Sequence, residues 1–86
     1  MKLNSRAFGL ACGILWGGAL LVVGLVNLVW SGYGQRFLED VASFYPGYDA
    51  TQSIVQVAIV TVYGFVDGLA GGMVFSWLYN RLAKAS

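Results

Sequence analysis

The chain contains no histidine, one cysteine and one proline. A lone thiol, Cys12, rules out an intrachain disulfide. One cysteine without imidazole also excludes the usual zinc, haem and iron–sulfur ligand sets, so no metal is expected. A serine or cysteine nucleophile would have no histidine to take its proton. No catalytic constellation is visible, no cofactor is implied, and the chain reads as something other than an enzyme. Charge is scarce too. Charged residues are 10% of the chain, where soluble domains carry about a quarter. A net charge of +1 supplies no basic patch for a nucleic acid.

What is present is apolar. Hydrophobic residues make up 58% of the 86 residues. A water-soluble domain this small buries a modest share of its surface and needs polar cover. Much of this apolar surface is therefore expected to face a lipid bilayer or other subunits.

No charge occurs between Arg6 and Arg36, and Phe8 to Trp30 is almost wholly apolar. A second run, from Ile54 to Tyr79, holds one charge, Asp67. Each exceeds the roughly 20 residues that cross a hydrocarbon core of about 30 Å. The expected architecture is an all-α membrane protein, a two-transmembrane-helix hairpin forming a single membrane domain over residues 1–86. Its first span covers about 8–30, its extracytoplasmic loop 31–53, and its second span about 54–79. The first run is too long for the apolar part of a signal peptide and is not followed by a small-residue cleavage pattern, so it is expected to stay.

Basic residues set the orientation. Lys2 and Arg6 precede the first span, Arg81 and Lys84 follow the second, and the loop carries Arg36 beside Glu39, Asp40 and Asp49. The positive-inside rule then places both termini in the cytoplasm. Within the loop, Phe37, Leu38, Val41, Phe44 and Tyr45 recur at helical spacing, which predicts a short interfacial helix on the membrane surface. Tyr45-Pro46-Gly47-Tyr48 predicts a turn. Trp30, Tyr33, Tyr45 and Tyr48 suit an aromatic belt at the outer interface, and Trp77 and Tyr79 one at the inner.

Gly9, Gly13, Gly17 and Gly24 fall within roughly 80° of one another around the first helix, and Leu20 and Asn27 share that face. In the second helix Gly64, Gly68 and Gly72 repeat the spacing of four, with Gly71 beside them. Small-xxx-small runs let helix backbones approach closely where lipid gives no hydrophobic drive. Whether the two stripes meet each other or a neighbouring chain is left open by the sequence. A two-helix hairpin offers little interior, so a homo-oligomer or a place in a larger membrane complex is expected.

Asp67, near the middle of the second run, is the outstanding polar residue. A carboxylate at that depth is costly, and such groups face protein or water. It is expected at the edge of the glycine face, pointing into the helix contact. Gln56 and Tyr63 project to nearly the same side, which would give a polar line from the outer surface to mid-membrane. Asp67 could ring a pore or proton path. It could equally be protonated, or bonded to Tyr63 or Asn27, and hold helices together. Asn27 is expected to bond between helices.

Several segments carry a family likeness: Arg6-Ala7-Phe8-Gly9-Leu10-Ala11-Cys12-Gly13-Ile14-Leu15-Trp16-Gly17, the loop runs Gly32-Tyr33-Gly34 and Tyr45-Pro46-Gly47-Tyr48, and Gly64-Phe65-Val66-Asp67-Gly68 through Trp77-Leu78-Tyr79-Asn80. Together they resemble a family of small two-span prokaryotic membrane proteins often labelled holin-like (bacteriophage holin-like). The resemblance implies residence in the prokaryotic cytoplasmic (inner) membrane and oligomeric permeabilisation. Holin tails are usually rich in positive charge, whereas here only Arg81 and Lys84 follow the second span. Three functions stay open on the sequence: a holin-like permeabilising oligomer, an accessory subunit packed against a larger membrane complex, and a small ion or proton channel centred on Asp67.

Overall fold

A computed structural model describes residues 2–85. The elements among these residues are helices: α1, Ser5–Val29; α2, Gln35–Ala42; and α3, Ile54–Ala85. Two of them, α1 and α3, are long and apolar enough to cross a membrane. The Asn4 side chain caps α1 by accepting from the Ala7 N–H at 3.1 Å. This satisfies one of the donors that a helix start leaves unpaired. Helix α3 runs past the expected span end at Tyr79, because nothing in Asn80-Arg81-Leu82-Ala83-Lys84 breaks a helix.

The two long helices pair antiparallel, and the glycine stripes meet each other. A Cβ built on Gly72 would lie 2.9 Å from Gly9 Cα, one on Gly68 2.8 Å from Gly13 Cα, and one on Gly64 3.1 Å from Gly17 Cα. Both stripes are thus occupied within one chain, and the hairpin does have room to satisfy them. Above the glycines, Gly24 takes the Val57 side chain, and Leu20 and Val60 are fully buried. Gly71 is an exception. It is exposed, and a Cβ there would meet nothing within 4 Å, so it does not pack in the hairpin as expected. It lies a quarter-turn or so round α3 from Gly72, off the contact line.

At the terminal end, Asn80 bonds both backbone groups of Leu3, at 2.7 and 2.8 Å, and Ser76 reaches Ser5 at 2.8 Å. Phe8 stacks on Phe75 with ring centroids 5.4 Å apart.

The connecting segment folds back along the hairpin. The molecule measures 48 × 19 × 18 Å, and α3 alone accounts for about 48 Å at 1.5 Å per residue. The loop therefore adds no length. Helix α2 forms where the apolar spacing predicts a helix, but its inward residues Leu38 and Val41 are buried beside the long helices. It starts at Gly34, whose φ of 67° suits glycine and where a Cβ would lie 2.6 Å from Val23 Cγ1. The turn at Tyr45–Tyr48 forms with Gly47 at φ 86°, and the Tyr48 N–H donates to the Tyr45 carbonyl at 3.1 Å. Positive φ at the third position follows the type II pattern.

This fold-back corrects the expected aromatic belt. Tyr45 and Tyr48 are 5% and 7% exposed and share a core cluster with Leu20, Val41 and Val60. Trp30 and Tyr33 remain exposed, with ring centroids 6.2 Å apart. A tyrosine in a turn can serve either role, and here Leu20 and Val60 offer it an apolar bed.

Candidate functional site

The polar residues of α3 form the seam on which the loop docks. Gln56, Tyr63 and Asp67 face one side, as their spacing of seven and four requires. Each takes one loop partner in succession. The Asp49 N–H donates to Gln56 Oε1 at 2.8 Å, the Tyr63 hydroxyl donates to the Pro46 carbonyl, and the Tyr45 hydroxyl donates to Asp67 Oδ2 at 2.8 Å. Backbone groups of a loop laid against apolar helices need such partners. The line is therefore filled by the loop.

Asn27 works from the other side. Its Nδ2 group reaches the Ser31 and Tyr33 carbonyls at 3.1 and 2.9 Å and Gln35 Oε1 at 3.2 Å. Its own carbonyl accepts from Gln52 Nε2 at 2.6 Å. The expected bond between the long helices is thus replaced by bonds to the connecting segment. Asn27 sits in the last turn of α1, within reach of the chain as it doubles back, and is 2% exposed. Removing the amide with Asn27→Ala leaves the part-buried Ser31 and Tyr33 carbonyls without this donor, at a cost of about 1 kcal/mol. The expected outcome is faster amide hydrogen exchange through residues 31–53, with the glycine contact unchanged. Unaltered exchange in that segment would contradict the role given to Asn27.

Trp16 carries no signal in spacing or charge, and the spacing of Tyr45 marks a helix and a turn without pointing to Asp67. Trp16 Nε1 donates to the Tyr45 hydroxyl at 3.0 Å, so Trp16, Tyr45 and Asp67 form one hydrogen-bonded chain. The Tyr45 ring stacks on Tyr63 at 4.9 Å, and Phe37 meets Trp16 edge-on at 6.3 Å. The legible clue was Trp16 itself. An indole halfway along an aliphatic run, far from the ends where aromatic belts form, needs an acceptor for its N–H.

Asp67 does not point into the helix contact. Gly64 and Gly68 occupy that line, and Asp67, one residue before Gly68, is turned about 100° away. Its side chain is exposed. It stands at the top of an open groove of about 560 Å³ between α1 and α3, walled by Phe8, Cys12, Trp16 and Phe75 and floored by Gly68 and Gly72. Tyr45 is the one hydrogen-bond donor to this carboxylate among the described residues. The result is an apolar trough with a single acid at its head and an aromatic roof.

Burial pushes the Tyr45 phenol above its ordinary value of 10.0. The Trp16 bond works against this, and the neighbouring Asp67 adds to it through its hydrogen bond and its charge. Tyr48 is raised too, by burial and then by Asp49. A raised phenol contributes stability in full below about pH 10 and loses it as pH climbs through the raised value. Spectrophotometric titration should therefore show two of the five tyrosines ionising late, as the loop undocks. Tyr45→Phe should remove one late step. A single ordinary transition for all five would contradict the buried setting.

No protein-family model matches the chain, and neither a curated protein nor a solved structure shows significant similarity to it. Two helices able to span a membrane, one folded-back loop and an exposed carboxylate within the apolar run of α3 are what define it.

Proposed function

We propose that the chain is an integral membrane protein of the prokaryotic inner membrane, with both termini cytoplasmic, and that it acts as an accessory subunit of a larger membrane complex. The Asp67 groove receives a transmembrane helix of the partner that carries a lysine or arginine. The observation that carries this reading is the exposed carboxylate at the head of an apolar trough, about halfway along the hairpin. Left against lipid, such a group costs about 2.5–3.5 kcal/mol on insertion scales. A paired cation offsets that cost, and the glycine floor lets a helix approach closely.

A second copy of the chain fits the trough less well. Its basic residues are Lys2, Arg6, Arg36, Arg81 and Lys84. None lies within the apolar stretch of α1 or α3, so a like pair would set Asp67 against Asp67. Self-assembly through the glycine faces also loses its motive, because those faces close on each other within one chain. Holin-like permeabilisation remains the second reading, favoured by the charged outer side of α2.

A photo-crosslinking residue at Gly71, in the trough, tests the proposal in native membranes. Capture of a distinct chain with a basic residue in its span is expected from Gly71 and not from Val62 on the other side of α3. A captured second copy would favour the oligomer. No capture from Gly71 in membranes that retain the protein after alkaline washing would sink the subunit reading.

A further inference from the structure

Helix α2 carries a sidedness that the groove does not explain. Leu38 and Val41 face the hairpin, whereas Arg36, Glu39, Asp40 and Ser43 are exposed on the outer side. The contacts at its two ends fix its height. A Cβ on Gly34, just before α2, would touch Val23, and Tyr45, just after it, bonds Trp16 and Asp67. Helix α2 therefore lies beside the stretch of α1 between Val23 and Trp16, about 9–20 Å below the Val29 end.

At that same height the rest of the hairpin surface is apolar. Val22 is 58% exposed, Leu21 36% and Val62 63%. One sector of the molecule is thus charged where the others are built for lipid. Each ionised side chain facing hydrocarbon costs about 2.5–3.5 kcal/mol on insertion scales. The irregular backbone of residues 43–53 adds to the difficulty, since non-helical chain at such depth is tolerated only against protein or a water-filled cavity. Beside the polar arc, exposed Phe37 and Phe44 mark one flank of α2, as an apolar margin between a wet face and lipid would.

We propose that the outer face of α2 lines a water-filled vestibule, open to the extracytoplasmic side, with the Trp16–Tyr45–Asp67 layer as its floor. The loop carries Glu39, Asp40 and Asp49 against Arg36, so the vestibule admits water and small hydrated cations in preference to anions. This rests on the membrane placement proposed above and is independent of what fills the groove beneath the floor.

Cysteine accessibility in intact cells tests it. Cys12 is first replaced by alanine, and single cysteines are placed at Asp40, Ser43, Leu25 and Thr51. Leu25 lies about 180° round α1 from Trp16, and Thr51 is an exposed loop position near the end of the hairpin. The probe is a small, membrane-impermeant, cationic methanethiosulfonate, which a thiolate formed in water attacks to give a mixed disulfide and methanesulfinate. Asp40→Cys and Ser43→Cys are expected to react within about tenfold of Thr51→Cys, and Leu25→Cys at least about a hundredfold more slowly. An anionic reagent of similar size should react more slowly than the cationic one at Ser43→Cys. Ser43→Cys as unreactive as Leu25→Cys would overturn the vestibule while leaving the membrane placement intact. Leu25→Cys as reactive as Thr51→Cys would overturn the membrane placement itself.

Discussion

Gly68→Ala is expected to weaken the hairpin by about 1–3 kcal/mol, the range for forcing an added methyl into a packed contact. The new Cβ would lie 2.6 Å from the Cys12 carbonyl oxygen, 2.8 Å from Gly13 Cα and 2.9 Å from the Cys12 carbonyl carbon. All three neighbours are backbone, so no rotamer change relieves the clash and the helices must separate. Separation also loosens the flanking contacts of Gly13 and Gly72, which have the same close approach. Gly24→Ala is expected to cost less, because the nearest atoms are the Val57 methyls at 3.1 Å. Gly18→Ala and Gly71→Ala meet nothing within 4 Å and should be neutral, or slightly favourable from helix propensity. Unfolding of the purified chain in a denaturing-detergent titration ranks the four variants. A loss at Gly71 equal to that at Gly68 would contradict the observed pairing of the stripes.

The second large effect belongs to Asp67. Asp67→Lys should abolish capture of the partner from Gly71, by tenfold or more, since it turns attraction into like-charge repulsion in a low-dielectric site. Asp67→Asn should weaken capture less, because an amide still accepts from Tyr45 and from a basic side chain. Membrane potential on expression of the wild-type chain and of Asp67→Asn separates the competing readings. Under the subunit proposal, induced expression of the wild-type chain leaves membrane potential unchanged. A sudden depolarisation after a lag would instead support the holin-like oligomer. A steady conductance altered by Asp67→Asn would support the channel.

The long helices were legible because continuous apolar runs of this length have few other uses, and the glycine spacing of four marked the faces that meet. That Gly13 faces Gly68 of its own chain was not legible. Spacing places residues on one face of a helix but is silent on which helix covers that face. The docked loop was hidden for a related reason. Leu38, Val41 and Tyr45 make an apolar stripe that fits a membrane surface or a protein surface equally well. What decides between them is three bonds from the loop to α3: Gln56 to the Asp49 N–H, Tyr63 to the Pro46 carbonyl, and Asp67 to the Tyr45 hydroxyl. Asp67 stood out as the lone charge in its run. Its exposure did not, because a shift of one residue round α3 separates the buried contact line at Gly68 from the open groove.

The central claim is that the loop reaches into the hairpin as far as the Asp67 carboxylate. The most direct measurement is nuclear magnetic resonance of the chain in lipid nanodiscs, seeking through-space contact between the Trp16 indole N–H and the Tyr45 ring. The account predicts that cross-peak, together with protection of the Tyr45 amide from a water-soluble paramagnetic agent that broadens Tyr33. Absence of the cross-peak, with Tyr45 broadened as strongly as Tyr33, would contradict it and return the loop to the membrane surface.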